Sequence, residues 1–132
     1  MFTFETALWK TTVPDHWTAE DDEDGICFYD PDGVGALQVS CSEKEEGLVE
    51  ESDLEYFAAE LIESDIEYTK VRIGNLAGLL FEYTDDEDEY WKEWYLACDD
   101  LFFYLTWNRP EEQGEKEDAI ALEIIHTITL LF

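Results

Sequence analysis

Residues Leu101 to Trp107 read Leu-Phe-Phe-Tyr-Leu-Thr-Trp, which puts large apolar side chains on both faces of an extended strand. A strand of that kind has to be covered on both sides. The chain is therefore expected to be layered, with this run near the middle of a sheet and something packed on each face. Hydrophobic residues make up 45% of the chain and aromatic ones 15%, enough to build such layers although 32% of residues are charged. That apolar content separates the chain from disordered acidic sequences. A length of 132 residues suits one domain, and no Pro/Gly/Ser-rich linker or internal repeat divides residues 1–132.

The elements before this run alternate with period two. Ala7 to Val13 is a candidate first strand, stopped by Pro14, and Trp17 to Glu20 is a short second one. Gly25 to Asp30 is a third, closed by the Asp30-Pro31-Asp32-Gly33 turn. From Gly35 to Ser42, Leu37, Val39 and Cys41 share one face and Gln38, Ser40 and Ser42 the other, a half-buried strand.

The period then changes. Leu54, Phe57, Ala58, Leu61 and Ile62 fall on one face of a helix. Ser52 followed by Glu55 predicts a capping box, and Asp53 and Glu55 suit the positive end of the helix dipole. Four more strands follow. Tyr68 to Ile73 is one, and Leu79, Phe81 and Tyr83 share a face in the next. Tyr90 to Cys98 sets Tyr90, Trp94, Leu96 and Cys98 against Trp91, Glu93 and Tyr95, and Leu101 to Trp107 is the last. Arg109-Pro110 ends the sheet. Glu115 to Ile128 reads as a closing helix with an apolar stripe of Ala121, Ile124, Ile125 and Ile128; a strand over Ile124 to Phe132 is the rival, because that stretch is β-branched. The expected fold is α+β: an antiparallel sheet of about six to eight strands with two helices packed on it, an α/β/α sandwich.

This order resembles the PsbP-like sandwich superfamily, which includes a photosystem extrinsic protein, a Ran-binding protein, the lipoprotein DcrB and the Eag-type chaperones of secreted effectors. The residues that carry the resemblance are Trp9, Val13-Pro14 and Trp17, then Gly33-Val34-Gly35-Ala36-Leu37-Gln38-Val39-Ser40, the capped helix from Ser52, and the ending Thr127-Ile128-Thr129 with Leu131-Phe132. The resemblance implies the sandwich fold and a non-enzymatic binding or assembly role. It carries over no functional residue. The chain departs from the group in the extremity of its charge.

Thirty-five acidic residues against seven basic ones give a net charge of -28. That excludes binding to nucleic acid by phosphate neutralisation and disfavours anionic membranes. Two meanings stay open: adaptation to high intracellular salt, or recognition of a basic partner by electrostatic steering. Met1 to Lys10 has neither a basic leader region nor an apolar core, and no segment is apolar enough to span a bilayer. Cys27, Cys41 and Cys98 are odd in number and lack metal-ligand spacing, so buried reduced thiols in a cytoplasmic protein are expected.

Catalytic signatures are missing. His16 and His126 have no nucleophile motif beside them, and neither phosphate-loop glycine pattern occurs. Glu20, Asp22, Asp24 and Gly25 follow the opening of a calcium loop, but the residue where its bidentate carboxylate belongs is Pro31. No metal, no cofactor and no enzymatic activity are therefore expected. The aromatic residues Trp91, Tyr95 and Trp107 are either core or a partner groove on one sheet face, rimmed by acids such as Glu82 and Glu93. The expected function is a non-enzymatic cytoplasmic binding protein, an adaptor or chaperone, for instance of a secreted effector. The alternative is an acidic immunity or inhibitor protein against a basic toxin or nuclease. In both, the partner is a protein.

Overall fold

A computed structural model describes residues 1–23 and 25–131. Asp24 of the calcium-loop-like opening and Phe132 of the terminal motif lie outside the described residues. The strands are β1 (Phe2–Glu5), β2 (Trp9–Val13), β3 (Thr18–Asp22), β4 (Gly25–Tyr29), β5 (Ala36–Glu43), β6 (Tyr68–Ile73), β7 (Leu76–Thr84), β8 (Glu89–Cys98), β9 (Leu101–Pro110) and β10 (Thr129–Leu130). The helices are α1 (Glu51–Phe57), α2 (Ala59–Glu63) and α3 (Glu115–His126). β3-β4-β5-β9-β8-β7-β6 form one antiparallel sheet, and β1-β2-β10 form a small second one.

β9 lies at the centre of the large sheet, paired with β5 on one side and β8 on the other. Its alternate residues go to two cores, as the doubly apolar run requires. Leu101, Phe103, Leu105 and Trp107 join the larger core with Trp9, Phe28, Leu37, Val39, Trp94 and Leu96. Phe102 and Tyr104 pack against the smaller core of Leu54, Ala58, Leu79, Phe81 and Tyr95. The first core is closed by α3, through Ala121, Ile124 and Ile125, together with the small sheet. The second is closed by α1 and α2. The architecture is the α+β sandwich expected from the sequence.

Four details differ from the sequence expectation. First, the large sheet has seven strands, within the expected six to eight, but among the described residues a strand at Phe2–Glu5, not read in the sequence, precedes Trp9–Val13 and pairs with it. Only two of its residues, Phe2 and Phe4, point inward, a pattern too short to stand out; Phe4 meets Phe28 edge-on at 5.4 Å. Second, the first helix is capped by Glu50 and Asp53, and not by Ser52 and Glu55. The Asp53 carboxylate accepts from the Glu50 backbone N–H at 2.8 Å and is held there by Lys44 Nζ at 2.9 Å. Third, that helix breaks at Ala58 into two pieces, so Phe57 and Ile62 are exposed while Leu54 and Ala58 are buried.

Fourth, both readings of the C-terminus hold in part. The helix runs to His126, and Thr129–Leu130 then pairs with β2 as a strand. Thr127 makes the switch: its hydroxyl reaches Thr11 Oγ1 at 2.7 Å and accepts from the Thr12 N–H at 2.9 Å. At the other end of α3, the Glu117 carboxylate accepts from the N–H groups of Val34 and Gly35 at 3.2 and 3.1 Å, which fixes the loop before β5. Gly35 has to be glycine there, since a Cβ would run into the Trp107 ring.

Candidate functional site

The strand register sorts the five residues singled out in the sequence. Trp91, Glu93 and Tyr95 lie on the α1–α2 face of the large sheet, opposite Tyr83, Phe81 and Leu79 of β7. Glu82 and Trp107 lie on the other face. Trp107 is 1% exposed and stacks on Trp17 at 6.2 Å, so it is core and not groove. Its indole N–H donates to Asp118 Oδ1 at 2.6 Å. Glu82 accepts from the Tyr90 hydroxyl at 2.9 Å, on the sheet face that carries α3. Period-two alternation separates Trp107 from Trp91 only once the β8–β9 register is known, and the sequence does not print that register.

Three of the five come together, and the structure adds residues the sequence did not single out. α1 and α2 cover only part of their sheet face. Beside them a groove of about 610 Å³ opens, lined by Phe57, Glu60 and Leu61 of the helices and by strand residues around Glu93. Glu93 is 5% exposed. Its Oε1 accepts from the hydroxyls of Tyr104 at 2.5 Å and Tyr95 at 3.1 Å, and its Oε2 accepts from Tyr83. Tyr83 stacks on Trp91 with planes 10° apart, and Phe57 stacks on Phe102 at 4.5 Å. The Trp91 indole N–H donates to Asp85 Oδ2 at 2.9 Å. Alternation from Leu79 and Phe81 to Tyr83 was the available signal for Tyr83. Nothing local marked Tyr104 as its neighbour across β8.

Burial pushes the hydroxyls of Tyr83, Tyr95 and Tyr104 well above the usual phenol range, and the Glu93 carboxylate adds to the effect. They hold their protons and remain donors to Glu93. The arrangement is a buried carboxylate surrounded by hydroxyls, with no cationic side chain bonded to it among the described residues.

The remaining candidates are structural or scattered. Arg109 grips Asp118 through Nε at 2.7 Å and Nη2 at 2.9 Å and lies over the Tyr90 ring at 4.5 Å. Burial alone would raise the Asp118 carboxyl, but the bonds from Arg109 and Trp107 outweigh it and hold it low. His16 sits exposed in the turn before β3, and His126 is exposed at the end of α3. Burial pushes the Cys41 thiol up to about 12 and raises Cys27 and Cys98 as well, so all three are poor nucleophiles at neutral pH. Glu20, of the calcium-loop-like run, accepts from the Tyr29 hydroxyl at 2.7 Å. Among the described residues no group of three or more His, Cys, Asp or Glu side chains is placed to hold a metal ion. Nor is any helix among them long and apolar enough to cross a membrane.

No family model matches the chain, and no curated protein does. Solved structures do. A protein from Bacteroides thetaiotaomicron VPI-5482 superposes with a TM-score of 0.69 at 22% identity, over 94% of this chain and 45% of that one. That likeness shows the fold. The chain spans less than half the length of that protein. A cyanobacterial PsbP, CyanoP from Synechocystis sp. PCC 6803, is similar over 92% of this chain and 86% of its own, at 11% identity and a TM-score of 0.47. A PsbP thus stands among the neighbours, as the sequence resemblance implies, although at that score it bears on nothing further.

Proposed function

We propose that this chain is a non-catalytic, cytoplasmic protein-binding module, adaptor-like or chaperone-like, that holds a segment of its partner in the groove between α1–α2 and the large sheet. The observation that carries this reading is the partial cover. A sheet face rich in aromatic residues is half roofed by two short helices, and Phe57 is left 50% exposed beside Trp91 and Tyr83. Aromatic side chains at the edge of a cleft are the usual anchors of protein recognition. A secreted effector is one such partner, in line with the resemblance of the sequence to effector chaperones. Three free thiols suit a reducing compartment.

The test is retention of a partner by immobilised protein from source lysate. Wild type and a variant altered on the far face, Leu122→Ser, should retain the same protein. The double variant Phe57→Glu/Trp91→Ala should lose it. Equal retention by the double variant would remove the groove from the function.

The acidic surface supports a second reading, an inhibitor of a basic toxin. Edge strand β3 ends in exposed Glu20, Asp21 and Asp22, followed by exposed Glu23, an acidic margin that fits a folded basic surface. Salt separates the two. Binding through that margin should weaken steeply with ionic strength, and binding through the aromatic groove should not.

A further inference from the structure

The side chains that line the groove have no proton left to donate. The hydroxyls of Tyr83, Tyr95 and Tyr104 all point to Glu93, and the Trp91 indole N–H is taken by Asp85. What these side chains still offer is acceptor capacity: the remaining lone pairs of three hydroxyl oxygens and of Glu93, and the Glu60 carboxylate at the edge. A hydroxyl that donates to a carboxylate is itself made a better acceptor, so the charge of Glu93 is felt at the groove surface. Around these acceptors stand the rings of Trp91, Tyr83 and Tyr104, and aromatic rings attract cations.

Three neutral hydroxyl donors satisfy the hydrogen bonds of the buried Glu93 carboxylate but supply no counter-charge. Among the described residues no cationic side chain is bonded to it. Lys92, next in sequence, lies on the opposite sheet face across from Trp107. Side chains that offer only acceptors, aromatic rings and a buried charge without a counter-ion have one ligand chemistry in common. It is a group that donates several hydrogen bonds, accepts none and is positively charged.

We infer that the groove receives a cationic side chain, lysine or arginine, from the bound partner segment, seated over Glu93 among Tyr83, Trp91 and Tyr104. This inference rests on the proposed reading of the groove as the partner site and adds the chemistry of what enters it. The cation replaces the counter-charge that the chain itself does not supply. Apolar neighbours of that residue lie on Phe57 and Phe102.

A chain of net charge -28 attracts any basic peptide, so the test needs a local readout. Two blocked pentapeptides with apolar flanks, identical except for arginine or its neutral isostere citrulline at the centre, are titrated into isotope-labelled protein at physiological salt. The Trp91 indole N–H resonance is followed, and the experiment is repeated with Glu93→Gln. That change removes one carboxylate of 35, so it scarcely alters the general field. The expected result is a preference for arginine of roughly tenfold at Trp91, lost in Glu93→Gln. If citrulline binds at Trp91 equally well, the cation inference falls and the groove reading stands. If the arginine preference survives in Glu93→Gln, the preference belongs to the general field and the inference falls. If neither peptide moves Trp91, both fall. Should Glu93→Gln not fold, Tyr104→Phe keeps the ring and removes one acceptor. It should weaken the arginine peptide several-fold, and unchanged binding would overturn the inference.

Discussion

Tyr104 on β9 donates its hydroxyl proton to Glu93 on β8 at 2.5 Å, which ties the central strand of the sheet to the carboxylate at the floor of the groove. Tyr95 and Tyr83 complete the set, so one buried charge is shared by three strands.

The tyrosines make stability depend on alkaline pH. Their folded pKa values lie above the unfolded value of about 10. A group raised in this way contributes stability that is complete below the unfolded pKa and is lost as pH rises toward the folded one. Denaturant midpoints should therefore hold up to about pH 10 and fall above it. Absorbance titration of the folded protein should leave these three phenols protonated where free tyrosine ionises. Tyr104→Phe should flatten the alkaline fall, and an unchanged slope would show that its hydroxyl is not held.

Removing the shared acceptor should cost more than altering it. Glu93→Ala leaves three partly buried hydroxyls without their acceptor and should destabilise by about 2–4 kcal/mol in urea unfolding. Glu93→Gln keeps a carbonyl that can accept, so its loss should be less than half as large. Equal losses for the two variants would mean that packing, and not the hydroxyls, fixes this position.

On the opposite face, Arg109 and Trp107 both bond to Asp118 and hold α3 to the sheet. The Asp118 carboxyl is depressed in the folded state. Its contribution is therefore present above about pH 4 and is lost as pH falls through the lower folded value. Asp118→Asn should reduce the acid sensitivity and lower the stability at neutral pH. Trp107→Ala opens a cavity where the ring is fully buried and should cost about 3–5 kcal/mol. A neutral outcome for Trp107→Ala would contradict its place in the core.

Charge repulsion should appear in thermal unfolding. Among the described residues three ion pairs use lysine or arginine, Lys44–Asp53, Lys70–Glu51 and Arg109–Asp118, against 35 acids in the chain. Added NaCl should raise Tm steeply at first. The rise should flatten once the Debye length falls from ~10 Å at 0.1 M toward ~3 Å at 1 M. A rise that continues unabated in molar salt would assign the acidity to a saline interior and not to recognition.

The layering was legible in the sequence because it is written in local periodicity. Leu101 to Trp107 demanded cover on both faces, and the structure divides that run between two cores. The split of β8 into a Trp94–Leu96 face and a Trp91–Glu93–Tyr95 face was legible for the same reason. What escaped depends on partners distant in sequence. Trp107 and Glu82 were grouped with Trp91 by chemistry, and the register puts them on the other side. Tyr104 joins Glu93 only through the β8–β9 pairing. Phe2–Glu5 is too short to declare itself, whereas Thr129–Leu130 lies within the strand alternative read over Ile124 to Phe132; both are paired to β2, which lies between them.

The most direct test of the groove as the binding site is a hydrogen-exchange footprint of the protein with and without the partner it retains. Protection is expected over α1–α2 and the Tyr83, Trp91 and Tyr104 segments of β7, β8 and β9, with the β3–β4 hairpin unchanged. Protection confined to the acidic β3–β4 hairpin would contradict the account and favour an inhibitor that uses its charged edge.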